Sequence, residues 1–494
     1  MNSLDYAKCA CDTLMKKFEA KDLPLVGRFH YHQGVFLLGM YDVYKLTKNE
    51  KYLRYIDEWL LSNMNPDGSI IYYEADELDD MQPTSLLTEL YAVNGDERYL
   101  TMPRCAMNHL KNWKTNEEGG FWHKDMFPNQ MWLDGMYMAG PLMIRLGNLF
   151  GETSLYDTVY RQMRLFKEHK YDEETGLYYH AWDQSKKSRD FDPETGLTTC
   201  FWGRAIGWFV VAMFEIYELL PESYAHREEF FETGKNLVDA LIPYADKNTG
   251  LWKQVIDKTE RDDNWDEVSC SCLFVYAMSK MCTLKKMEEK YGECARKAYR
   301  GIIDTLTFND DGIEINKVCV GTGLCDYKGY IERPTSTNDL HGVGAFLLMA
   351  VGIFYLGYIL MSTIGNKHAY VQISGTAFGI YALISAIVCI TLGAEGSTLL
   401  TRGLTFLMPL GATVELSELF SLLLLAVIMV MPGFVFVKNL SLRIYFFRRF
   451  YKDAESRYRH SRRRHSSHKP ASKPAGEPVA EKPITVEEGD EADS

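Results

Sequence analysis

The chain has 494 residues, too many for one hydrophobic core, and its 46% hydrophobic and 13% aromatic content exclude a chain that stays unfolded for want of apolar surface. A net charge of −13 excludes nucleic acid as the partner of the main body. Eleven cysteines, an odd number at irregular spacing, form neither a disulfide framework nor a zinc-ligand set. Free thiols point to a reducing compartment.

Residues 1–20 have no apolar stretch of the export-signal kind. Leu4, Ala7, Cys11, Leu14 and Phe18 instead recur at helical spacing and predict a surface helix of a globular domain. Helix-length amphipathic segments follow as far as residue 340, with strand-like alternation only briefly at 69–73 and 177–180. The segments 45–61, 91–110 and 148–166 share one plan. In each, a helix ends, a polar loop turns the chain, and a new helix starts on an aromatic anchor. This is the mark of helical-hairpin arrays. About a dozen helices, or six hairpins, fit up to residue 355. Periodicity leaves a closed ring and an open solenoid both possible.

Beyond residue 342 the composition changes. Residues 343–364, 370–394 and 419–437 carry no charge, and each run is long enough to cross a bilayer core of about 30 Å. A shorter stretch, 403–414, lies between Arg402 and Glu415. The expected organisation is therefore a helical domain at 1–342, its last helix able to run to about 357. A membrane region of two to four spans at 343–437 and a disordered tail at 438–494, basic then acidic, follow. The basic block after the last span predicts a cytoplasmic tail. With no export signal, the helical domain is expected on the same side of the membrane.

Three aromatic-rich motifs carry the chemistry. In HKDMFPNQMWLDGMYMAGPLM (123–143), Asp134 opens an apolar helix among Trp132, Met136 and Tyr137. A carboxyl group partly desolvated there is expected to have a raised pKa, suited to proton donation near neutrality. The competing reading is an N-cap aspartate. In CFWGRAIGWFV (200–210), Trp202, Arg204 and Trp208 offer flat faces for sugar rings and a guanidinium fork for a carboxylate. The alternative is a core tryptophan pair with an arginine on its rim. In ELDDMQPTSLL (77–87), one of Asp79 and Asp80 is expected to cap the following helix while the other faces a cleft.

Together with FHYHQGVFLLGMY (29–41), GLYYHAWDQSKK (176–187), DEVSCSCLFVYAMSK (266–280) and the segment 318–350, these motifs resemble the unsaturated rhamnogalacturonyl hydrolases, glycoside hydrolase family 105. The unsaturated glucuronyl hydrolases of family 88 are related. Cys200 and the run 267–272 depart from the family pattern. The resemblance implies an all-α (α/α)6 toroid. It also implies hydration of a C4=C5 enol ether on an unsaturated uronic acid, with no metal and no cofactor. By position it makes Asp134 the general acid/base and Asp79 the supporting carboxylate. It places His180, Trp202, Arg204, Trp208 and Lys124 around the sugar, with Tyr31 and His341 as further lining residues. The expected partners are an unsaturated oligosaccharide and, through the C-terminal region, a membrane. A silent carbohydrate-binding toroid and an unsaturated glucuronyl hydrolase are the alternatives.

Overall fold

A computed structural model describes residues 1–285 and 289–357. Among them are twelve helices longer than ten residues: α1 (Ser3–Lys17), α2 (Tyr31–Thr47), α3 (Glu50–Ser62), α4 (Thr84–Asn94), α5 (Thr101–Lys111), α6 (Gly135–Phe150), α7 (Ser154–Lys170), α8 (Gly203–Leu219), α9 (Arg227–Leu241), α10 (Val268–Lys285), α11 (Glu289–Asp304) and, after the one-turn α12 (Tyr327–Ile331), α13 (Leu340–Gly357). Short two-stranded ribbons join them: β1 (Gln130–Trp132) with β2 (Ala181–Asp183), β3 (Thr307–Asn309) with β4 (Gly312–Glu314), and β5 (Val318–Cys319) with β6 (Thr335–Ser336), all antiparallel.

The helices fall into two kinds, and the difference is written in their sequences. α2, α4, α6, α8, α10 and α13 are apolar nearly all round and buried on most faces. α3, α5, α7, α9 and α11 are amphipathic and bury one stripe, as Tyr52, Tyr55, Ile56, Trp59 and Leu60 do in α3. The apolar helices form an inner ring, each packing on the next. Gly207 of α8 lets Leu273 of α10 approach, since a Cβ there would lie 2.8 Å from Leu273 Cδ1. The ring closes between α13 and α2, where a Cβ on Gly344 would lie 2.7 Å from the Val35 backbone. Closure decides for the toroid and against the open solenoid.

The inner position of α13 changes the reading of residues 343–357. They lack charge because they complete a protein core: 78% of the helix is buried, Gly352 faces Tyr276 and Ser279 of α10, and Gly39 of α2 faces Leu347. The apolar run from 343 thus continues the helical domain to 357 at least. The other candidate spans and the tail lie outside the described residues. The cysteines among the described residues are free thiols.

Candidate active site

The inner helices all begin at one end of the ring, and the residues that stand out in the sequence collect there. His30 and Tyr31 open α2, and the turn Leu78–Asp80 precedes α4. Asp134 opens α6, Trp202 and Arg204 open α8, Glu267 precedes α10, and His341 lies in the first turn of α13. Six helix N-termini aimed at one mouth give that mouth a positive field and unpaired N–H groups, which favour an anionic ligand.

Asp134 occupies the N-cap position of α6 but does not cap it. Its backbone is already helical and its side chain makes no capping hydrogen bond. The carboxylate turns instead to His180, with Oδ2 3.0 Å from Nε2, while His180 Nδ1 lies 2.6 Å from the Tyr330 hydroxyl. The ionised carboxylate only accepts, so Nε2–H donates to it and the Tyr330 O–H donates to Nδ1. Burial pushes the Asp134 carboxyl up, but the His180 imidazole, with help from His123, outweighs burial and holds it down at about 2. The expected upward shift is therefore wrong for the free protein. The sequence places Asp134 among apolar neighbours; the fold adds an imidazole that favours the carboxylate.

Asp79 lies in a denser charge network. Lys124 Nζ donates to Asp79 Oδ2 at 3.0 Å and to Glu77, Arg28 donates to Glu77 and to Asp80, and His30 Nε2 lies 3.3 Å from Glu77. His123 Nε2 is 3.4 Å from Asp79 Oδ1, so this imidazole stands between the two aspartates. Burial disfavours the Lys124 ammonium, yet Asp79 and Glu77 more than offset it and raise its pKa. Burial likewise raises Glu77, but His30 and Lys124 hold it well below the usual carboxylate range. Asp79 is buried and turned to Lys124 and His123. Neither aspartate caps α4, whose N-terminus starts at Pro83 with no side-chain cap.

The remaining candidates form the back of the site. Trp202 stacks on Tyr330 at 5.5 Å, and Trp208 stacks on Tyr137 at 4.6 Å with its edge toward Tyr31. Both indoles are buried, at 1% and 0% exposure, so they are not the open platforms that the sequence suggested. Each lies on an inner helix, where neighbouring rings cover its faces. Arg204 also differs from expectation. Its guanidinium lies over the Trp202 ring at 4.5 Å and donates to the Cys319 and Val320 carbonyls at 2.6 and 2.8 Å and to His341 Nε2 at 3.0 Å. The fork clasps the 319–320 segment and is neither at a rim nor open to a carboxylate. His341 Nδ1 lies 2.7 Å from Asp339 Oδ1, and its Nε2 is also 3.1 Å from the Cys319 carbonyl. His32, 3.8 Å from Asp339 and 2.9 Å from His30, links this group to the Asp79 network.

Two groupings, His32–Asp339–His341 and His30–Glu77–Asp79, contain metal-ligating residue types. Arg204 sets its guanidinium 3.0 Å from His341 Nε2 in the first, and Arg28 and Lys124 supply the counter-charge in the second. Sequence reasoning missed Tyr330, His123, His30 and Glu77. His30 and His123 stand inside motifs already singled out, but their neighbours in the chain give no sign of a partner.

Residues 6–356 match the model of Glycosyl Hydrolase Family 88. The chain belongs to that family. A glycoside hydrolase from family 105 of Clostridium acetobutylicum ATCC 824 is 33% identical and superposes with a TM-score of 0.67 over 70% of this chain and 99% of its own. The unsaturated rhamnogalacturonyl hydrolase of Bacillus subtilis is 26% identical over 64% of this chain and 86% of its own length. An unsaturated glucuronyl hydrolase from Bacillus sp. GL1, at 15% identity and a TM-score of 0.55 over 71% and 95% of the two chains, shares the fold. The family 88 chain is thus a glycosidase of the unsaturated glycuronyl and rhamnogalacturonyl hydrolase kind.

Proposed function

We propose that the enzyme removes the 4,5-unsaturated uronic acid from rhamnogalacturonan oligosaccharides left by a lyase. The observation that carries the reading is the buried Asp134–His180–Tyr330 relay at the mouth where the six inner helices begin. Asp134 donates a proton to C4 of the enol ether, and water, losing its proton to the same carboxylate, adds at C5. The hemiketal then opens, the C1–oxygen bond of the glycoside is released, and the acid is regenerated. Asp134 is ionised in the free enzyme. The incoming uronate brings a like charge and excludes water, and both effects raise the carboxyl pKa until it takes up the proton it will donate. His180, held neutral by burial despite Asp134, can yield the hydrogen bond without becoming a stranded cation.

Asp79 and Lys124 stand across the cleft and orient the sugar hydroxyls. Tyr31 and His341 line the floor, and Trp202, Trp208 and Arg204 fix the wall behind. The likeness to the B. subtilis enzyme supports rhamnogalacturonan fragments. Purified protein given unsaturated rhamnogalacturonyl and glucuronyl disaccharides, followed by loss of the ultraviolet absorbance of the conjugated double bond, tests the assignment. Faster turnover of the rhamnose-linked substrate is expected. A preference for the glucuronyl one would move the enzyme to the unsaturated glucuronyl hydrolases, and no turnover of either would make the toroid a binding module.

For location, the uncharged runs 370–394 and 419–437 and the basic stretch that follows support an anchor on the cytoplasmic face of a membrane. Truncation after Gly357 is expected to leave a soluble enzyme with unchanged activity, and protease added to intact cells is expected to spare the toroid. Digestion from outside would place it on the other face.

A further inference from the structure

Lys170, the last residue of α7, is fully buried at 0% exposure, and no other lysine among the described residues is buried. Taking an ammonium out of water costs several kcal/mol, so such a group normally sits on a carboxylate. Lys170 has no ion-pair partner among the described residues. Its Nζ lies 2.9 Å from the Met131 carbonyl, 3.3 Å from the His180 carbonyl and 4.0 Å from the centre of the Phe166 ring. The first carbonyl belongs to β1 and the second to the residue just before β2. The His180 carbonyl also accepts from Leu133 N–H at 2.8 Å, next to Asp134. An apolar side chain would fill the space without the desolvation cost, so the ammonium is retained for what it holds.

We propose that Lys170 is a positioning residue for the reaction: its Nζ pins the carbonyls of Met131 and His180, and so sets the approach of Asp134 to His180. This rests on Asp134 as the acid. β1 leads to Asp134 three residues after Met131, and His180 itself leads into β2, so the two tethered carbonyls bracket the pair. Burial pulls the Lys170 amine well below the usual lysine range and the Asp134 carboxylate pulls it back up, so the charge it keeps favours that carboxylate alongside His180 and His123.

The test uses the full chain with Lys170→Met, which keeps length and apolar bulk, and Lys170→Arg, which keeps charge and donors. Lys170→Met is expected to stay folded, to lose at least about tenfold in kcat with KM within about threefold, and to move the basic limb of the kcat pH profile upward. A misplaced acid lowers kcat, and loss of a cation makes Asp134 easier to protonate. Lys170→Arg is expected to keep the wild-type limb and most of kcat. Unchanged kcat in folded Lys170→Met overturns the proposal, and so does a lowered kcat with an unmoved limb, which marks a core strut alone. Should Lys170→Met not fold, Lys170→Arg decides: near-wild-type kcat and limb support the proposal, and anything less overturns it. Asp134→Asn is measured alongside. If it stays active, the assignment of the acid has failed; if it is dead while Lys170→Met behaves as wild type, only the present inference has failed.

Discussion

The two aspartates of the cleft live in opposite surroundings. Asp79 stands in a crowd of charged groups, with Lys124 at 3.0 Å and Glu77 beside it, and Arg28, itself half-exposed, bridging Glu77 to the neighbouring Asp80. Asp134 has a single hydrogen-bonding side-chain partner, an imidazole, which a buried tyrosine hydroxyl orients from behind. A permanent ammonium, as Lys124 is beside Asp79 and Glu77, keeps its charge whatever enters the cleft. A neutral imidazole has none to keep, and its hydrogen bond can be given up without leaving a buried charge. The surroundings therefore divide the work: the Asp79 region is built to stay charged and the Asp134 region to change protonation.

The sharpest way to break this comparison is to replace each carboxylate by its amide. Asp134→Asn is expected to fold normally and to lose on the order of 10²–10⁴-fold in kcat, the usual worth of a general acid. Asp79→Asn is expected to cost less, about 10–100-fold, because it removes one charged hydrogen bond worth about 1.5–3 kcal/mol. Steady-state kinetics on purified variants with matched melting curves decide the matter. Equal losses at both positions would show that the two carboxylates share the proton transfer.

The same contrast shows where sequence reasoning reaches and where it stops. The inner helices were readable because each is apolar on most faces, and the candidate residues were readable because they lie at helix starts within aromatic motifs. Even so, the run beginning at 343 looked like a membrane span. A helix in the centre of a toroid meets hydrocarbon side chains all round, as a spanning helix meets lipid, and one-dimensional composition does not separate the two. The protonation of Asp134 was unreadable for a different reason. His180 is 46 positions away, and Tyr330 is a further 150 beyond His180. Pairings over such distances exist only once the ring has closed. Lys170 and Arg204 were misjudged or missed in the same way, since a cation's usual partner is a carboxylate and these two are held by backbone carbonyls.

Arg204 offers the next largest effect and bears on the frame behind Asp134. Because its guanidinium is buried and clasps the Cys319 and Val320 carbonyls, Arg204→Ala is expected to act first on the fold. Buried acceptors left without a donor cost about 1–3 kcal/mol each. A fall in melting temperature of several degrees with a loosened 319–330 segment, and a lowered activity that follows from it, is the expected result. Arg204→Lys keeps the charge but not the planar fork, and should recover only part of the stability. A variant with wild-type melting and a raised KM would instead assign the guanidinium directly to the substrate.

The smallest effect comes from the crowded region and concerns Asp80. Burial first, then the charges of Glu77, Asp79 and Asp76, push its carboxyl from 3.8 up to about 8, against the pull of Arg28. An acid whose folded pKa lies above its unfolded value takes up a proton on folding. Its contribution to stability is therefore complete below about pH 4 and is lost as pH rises through about 8. Between those limits the slope from one such group is at most about 1.4 kcal/mol per pH unit. Asp80→Asn keeps the neutral form at every pH and should remove this dependence. Denaturant midpoints measured from about pH 6 to about pH 8, the upper half of that window, should fall with pH in the wild type and stay flatter in the variant. Parallel curves would mean that Asp80 is ionised throughout and paired with Arg28. The Asp79 side would then carry one more fixed charge, and the contrast with Asp134 would widen.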